Sequence, residues 1–183
     1  MPTYIAFLRA INVGKRWVKM EQLRDVLTQA GFRDVATHIQ SGNVRVSTAM
    51  RSTTKVEASL REVISDAFGF DVPVIVRTPA QVEEIARVAA EFPSPISAQA
   101  RRYVMVTTGA ISTPGALALE SWPALTEAAR VIGQDVILFL DVPAHETKLT
   151  NARVEKLTGA VSTTRDLKVI TAIVDKWGAS GAG

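Results

Sequence analysis

One order of short apolar runs is written twice along this chain, and that order constrains the fold more than any single motif. Residues 4–10 are rich in strand formers and apolar on both faces, which suits a central strand covered on both sides. Over residues 19–30, Met20, Leu23, Val26, Leu27 and Ala30 recur at helical spacing, and Gly31 can take a left-handed cap. Residues 35–40 and 44–48 read as strands around Ser41-Gly42-Asn43, whose glycine and asparagine tolerate the positive φ of a hairpin turn. Thr54 to Glu57 has the spacing of a capping box, with Val56, Leu60, Val63, Ile64 and Ala67 on one helical face before Gly69. Residues 72–77 form a fourth strand. The order is β-α-β-β-α-β.

Thr78-Pro79-Ala80-Gln81 then has the marks of a helix start: an N-cap, proline at the first helical position and glutamine three residues after the cap. This helix and the proline-broken stretch that follows join the halves. The order then recurs. Residues 102–108 read as a strand, Thr113-Pro114 opens a short helix, and residues 129–132 and 136–140 flank a turn at Gly133-Gln134-Asp135. A helix over about residues 149–158 stops at Gly159, residues 161–164 form a brief strand, and Leu167, Ile170, Ile173, Val174 and Trp177 mark a last helix capped by Asp166. Tyr4 matches Tyr103, and Lys55 matches Lys148. The expected fold class is α+β, a tandem duplication of a ferredoxin-like βαββαβ unit. Its parts are a first half over 1–78, a connecting helix and linker over 79–100, and a second half over 101–183 with a C-terminal helix. Residues 178–183 are a small-residue tail, expected to fray.

Composition narrows the function. A chain of 183 residues buries about 70% of its unfolded surface, so it needs no metal or disulfide to fold. With no cysteine, thiolate nucleophiles, iron–sulfur clusters and cysteine zinc sites are excluded together. No apolar run is long enough for a membrane helix, and Met1-Pro2-Thr3-Tyr4 lacks a basic leader, so the expected location is cytoplasmic. The net charge of +3 does not announce a nucleic-acid partner. Its distribution is uneven: residues 1–78 carry a net +4 and residues 79–183 a net −1. The sharpest basic cluster is Lys15-Arg16-Trp17-Val18-Lys19, which reads either as a solvated loop entering a helix or as a phosphate contact.

The fold, once assumed, turns sequence into position. Right-handed crossovers make the first two strands of each half parallel, with the third returning between them. In the first half this brings Arg9, Asn12 and Gly14 near Ser41, Gly42 and Asn43. In the second it brings Lys148, Thr150 and Asn151 near Thr163, Thr164 and Arg165. Each group mixes a cation with hydroxyls and amides beside a helix N-terminus, a chemistry that favours an anion. Simpler readings stand beside each. Ser41-Gly42-Asn43 is ordinary turn chemistry; Thr150 and Asn151 cap a helix; Lys148 and Arg165 are solvated; Arg9, after a buried strand, needs a partner of some kind. His38 and His145 are far apart without a second ligand at helical spacing, so no metal is expected. No phosphate-loop, dinucleotide, nucleophile-elbow or zinc-protease motif is present, and no evident general base.

Several of these stretches resemble a bacterial family, the domain of unknown function 1697 family. The matching pieces are residues 4–14 (Tyr-Ile-Ala-Phe-Leu-Arg-Ala-Ile-Asn-Val-Gly), Val18-Lys19-Met20 with Leu23, residues 39–44 (Ile-Gln-Ser-Gly-Asn-Val), Lys148-Leu149-Thr150-Asn151 and Thr163-Thr164-Arg165. The resemblance implies a tandem ferredoxin-like fold and no established activity. The chain departs from the family pattern at Ala10, where glycine is frequent, and at Asp166, where asparagine is frequent.

The functional expectation is a protein that holds a small phosphate- or carboxylate-bearing ligand in a cleft between the halves. Arg9, Lys19, Lys148 and Arg165 would supply charge, and Asn12, Ser41, Asn43, Asn151 and Thr164 would orient the ligand; no cofactor is implied. Two alternatives come from other classes. One is a single-strand nucleic-acid module that stacks bases on strand aromatics such as Phe7, with Lys15 to Lys19 on phosphates. The other is a structural module that meets a partner protein.

Overall fold

The computed structural model describes every residue except Ala124 and residues 180–183, so most of the expected small-residue tail lies outside the described residues. Contacts divide the chain into two compact units: Met1–Val82 with the C-terminal stretch from Trp177, and Glu83–Lys176. Among the described residues, no helix is long and apolar enough to cross a membrane.

The first unit runs β1 (Thr3–Leu8), α1 (Met20–Gln29), β2 (Arg33–His38), β3 (Asn43–Ser47), α2 (Thr53–Phe68) and β4 (Val74–Arg77). Its four strands form an antiparallel sheet in the order β2-β3-β1-β4. Side chains alternate across a strand, so Tyr4, Ala6 and Leu8 share one face of β1. They pack there with Leu23 and Leu27 of α1 and Val56, Leu60 and Ile64 of α2. Ile5 and Phe7, on the other face, are fully buried as well, which makes β1 the doubly covered strand its composition suggests.

Helix α3 (Pro79–Glu91) opens with a complete capping box: Thr78 N–H donates to Gln81 Oε1 at 2.8 Å, and Gln81 N–H donates to Thr78 Oγ1 at 3.3 Å. Next come β5 (Arg101–Thr107), α4 (Thr113–Glu120), β6 (Glu127–Ile132), β7 (Asp135–Leu140), α5 (Asn151–Thr158), β8 (Ser162–Asp166) and α6 (Leu167–Trp177). The strand order of this sheet, β6-β7-β5-β8, repeats that of the first. Tyr103, Met105, Leu138 and Leu140 pack with Leu119 of α4 and Val154 of α5. Asp166 accepts Lys168 N–H at 2.9 Å and so caps α6.

Register shows which positions correspond. Ile5 pairs with Arg77 in the first sheet, and Val104 pairs with Arg165 in the second. Tyr4 and Tyr103, each one residue earlier, are therefore equivalent, and so are Arg77 and Arg165.

Two expected features differ. The cap of α2 is Ser52, whose hydroxyl accepts Lys55 N–H, and not Thr54. Glu57 reaches instead across to β4, where its Oε1 accepts Val76 N–H at 2.8 Å. The cap of α5 is Thr150, which accepts Arg153 N–H, so Arg153 and not Lys148 is the counterpart of Lys55.

Candidate functional site

The connection from β1 to α1 is long and firmly tied. Ala10 and Asn12 have φ of 54° and 55°, left-handed values that cost a non-glycine residue about 1–2 kcal/mol, least for asparagine. Asn12 holds the loop closed: its Oδ1 accepts Val18 N–H at 2.8 Å, and its Nδ2 donates to Val18 O at 3.1 Å and to Gln40 O at 2.7 Å. Its backbone N–H donates to Arg16 O at 2.7 Å. Arg16 in turn donates to Asp71 O at 2.7 Å and lies over the Phe70 ring. A loop pinned at so many points still holds two large apolar side chains in water, Val13 at 67% and Trp17 at 70% exposure.

Trp17 borders a cavity of about 770 Å³, within the size range of small-molecule sites. Lys19, Glu21, Arg24 and Gln40 share its wall, over Asn12. Lys19 occupies the N-cap position of α1 and offers the helix no side-chain acceptor. Arg24 lies one turn into α1; its guanidinium is steadied by a 2.7 Å hydrogen bond to Thr37 Oγ1. Two cations, a carboxylate and an indole thus share one hollow. It can hold a ligand that carries an anion, hydrogen-bond donors for Glu21, and a flat apolar surface.

The expected grouping in the first unit is met in part. Asn12 reaches the β2–β3 hairpin through Gln40, beside Ser41 and Asn43. The amides of this group serve the loop and the hairpin, however: buried Asn43 donates to His38 O at 3.0 Å and to Ser41 Oγ at 3.2 Å. The hairpin is also clamped to the loop, since a Cβ added at Gly42 would stand 2.7 Å from Ile11 Cδ1 and 2.8 Å from Leu8 Cβ. Arg9 is half-buried, with its backbone N–H on Pro73 O at 3.0 Å, and it does not line the Trp17 cavity. Phe7, considered as a base-stacking residue, is fully buried and cannot serve as one.

In the second unit the expected group divides. Asn151 and Thr164 meet, with Thr164 Oγ1 donating to Asn151 Oδ1 at 2.7 Å, on the wall of a smaller cavity of about 380 Å³. Arg165, the next residue along β8, points to the opposite face. It is not solvated: 7% of it is exposed, and its Nη1 donates to Thr163 Oγ1 and to Thr164 O, both at 2.9 Å. Burial pulls the Arg165 pKa down to about 10. Lys148 is exposed, and its backbone N–H donates to Glu127 Oε2 at 2.9 Å. Glu127, buried, also accepts Trp122 Nε1–H at 2.9 Å and Thr147 Oγ1–H at 2.7 Å, a fully engaged structural carboxylate.

Glu21 and Arg24 were not legible as site residues. On sequence they are polar positions of an amphipathic helix, and only the loop's return path sets them beside Trp17. Trp17 did carry a signal, as a tryptophan inside a run of cations.

The chain belongs to the family of proteins of unknown function DUF1697, whose model matches residues 1–137. The matched stretch includes the β1–α1 loop and the Trp17 cavity. Among solved structures, a conserved bacterial protein, SP0830 from Streptococcus pneumoniae, is similar over 97% of this chain and 98% of its own, with a TM-score of 0.71 and 20% sequence identity. At that identity the likeness concerns the fold. Among curated proteins there is no match.

Proposed function

We propose that the protein binds a small anionic ligand, phosphate- or carboxylate-bearing, in the cavity between the β1–α1 loop and the first turns of α1. Lys19 and Arg24 supply the charge, and Asn12 fixes the loop that carries it. The scaffold is read as two ferredoxin-like modules derived by duplication. The common element order, the common strand order and the matched positions Tyr4/Tyr103 and Arg77/Arg165 support that reading. The excess of positive charge in residues 1–78 agrees with placing the anion in the first unit.

The observation that carries the reading is Trp17: 70% exposed, on a loop hydrogen-bonded through Asn12, sharing a cavity wall with two cations. A solvated loop requires none of the bracing that Asn12 and Arg16 provide. Two surface cations contribute at most about 1 kcal/mol each, so the site depends on preorganisation to reach useful affinity.

The test is a thermal-shift titration with inorganic pyrophosphate. The wild type is expected to melt higher as pyrophosphate rises, and Lys19→Ala and Arg24→Ala to lose the shift while melting near the wild type without it. A wild type indifferent to pyrophosphate and to a dicarboxylate such as succinate at millimolar concentration would refute the reading.

A further inference from the structure

Resting on that reading, we infer that the ligand is a nucleotide, a phosphate joined to a planar base, with the base stacked on Trp17. Three features of the same cavity support this. First, the indole is 70% exposed and belongs to a wall that also holds Lys19 and Arg24, so a ring and a phosphate of one molecule can be met together. Second, the wall includes Glu21, an exposed carboxylate in the first turn of α1 that can accept from the N–H groups of a base. Third, the loop that presents Trp17 is held by the four hydrogen bonds of Asn12 and by the Arg16 contacts. The backbone that carries the indole is therefore held before any ligand arrives, which suits stacking. Glu21, in the first turn of α1, also complements the helix dipole; a pure phosphate site would leave the indole without a role.

The same chemistry is found in a free nucleotide and in a base of a single strand, and the experiment separates them. Tryptophan fluorescence is titrated with the four nucleoside 5′-monophosphates, with ribose 5-phosphate, with the nucleosides, and with a ten-nucleotide single strand. At least one monophosphate is expected to quench emission and to bind about tenfold or more tighter than ribose 5-phosphate and than its own nucleoside. Trp17→Ala should abolish that advantage, and Trp17→Phe should restore most of it without the quench. Glu21→Gln should weaken the nucleotide less than Trp17→Ala does and leave ribose 5-phosphate unchanged or improved. A strand that binds far more tightly than the monophosphates, with affinity falling steeply as salt rises, assigns the site to nucleic acid. A strand no tighter than a monophosphate assigns it to the free nucleotide. Equal binding of ribose 5-phosphate and the monophosphates overturns the nucleotide and leaves the anion site standing; no binding of any phosphate overturns both.

Discussion

The two units share a frame and differ in their connections. In both, a serine or threonine caps the second helix, Ser52 in α2 and Thr150 in α5. In both, a glutamate five residues past that cap reaches an edge strand: Glu57 accepts Val76 N–H of β4, and Glu155 accepts Ser162 N–H of β8, each at 2.8 Å. An edge strand presents unpaired backbone donors, and a helix carboxylate is one means of covering them. The units part before the second helix, where residues 48–52 stand against 141–150, and again in the connection after the first strand, the one that bears on the proposed site. In the second unit, residues 108–112 lead directly to the Ser112 cap of α4. In the first, residues 9–19 make a braced loop that carries Val13, Trp17 and the basic cluster. What the units hold in common explains stability, and what one has alone is where function is to be sought.

The two hairpins should break apart most widely under substitution. Gly42→Ala places a Cβ against Leu8 and Ile11 at a φ of +80°, so it should cost about 2–4 kcal/mol and loosen the loop below Trp17. Gly133→Ala, at φ +61° with open space around it, should cost only about 1 kcal/mol. Denaturant midpoints of the two variants check this; equal losses would mean that the β2–β3 hairpin is not clamped to the loop.

Next come the glutamates. Glu57→Ala and Glu155→Ala each leave a part-buried strand N–H without its acceptor, at about 1–3 kcal/mol. Glu57 adds a pH signature. Burial raises its pKa above the usual 4.5, against the lowering effects of Val76 N–H and Arg77. The folded state then holds the proton more tightly than the unfolded one, so this group's contribution to stability declines as pH rises from 4.5 through the raised value. Glu57→Gln keeps an acceptor and removes the slope; its stability relative to the wild type should improve as pH rises through that window. A constant difference from pH 4 to 8 would contradict this.

These interactions also mark where the sequence was readable. The box at Thr78 and Gln81 is local, so its residues announced it. Thr54 and Glu57 have the same spacing, yet the carboxylate serves a strand nineteen residues away, which no local rule anticipates. Arg165 was out of reach for a similar reason: the expected strand ends at Thr164, and only pairing with Val104 extends β8 to Asp166 and turns the guanidinium inward. The repeated order of elements was legible because it depends on periodicity and turns. The site was half legible, since the return of the loop onto α1 depends on Asn12 bonding to Gln40.

Smaller effects remain. Ser52→Ala and Thr150→Ala should each cost about 1 kcal/mol, alike in both units, by thermal or chemical melts. Least is expected of the Arg61–Asp71 pair, more than half exposed on both sides, whose loss should cost well under about 1 kcal/mol. Hydrogen bonding to Arg61 holds the Asp71 carboxyl below its usual 3.8, so the contribution is present above that pH and disappears as pH falls through the lowered value. High salt should remove most of it.

The most direct measurement is a proton–nitrogen correlation spectrum followed during titration with a nucleoside monophosphate, with one tryptophan indole N–H reporting from each kind of environment. Trp17 lies in the proposed cavity, while Trp122 donates its indole N–H to Glu127 in the second unit. The Trp17 indole signal should shift and saturate together with the backbone amides of Lys19 to Arg24, while the Trp122 signal stays in place. A spectrum in which Trp122 moves and Trp17 does not, or in which neither moves at millimolar ligand, would contradict the assignment of binding to the β1–α1 loop.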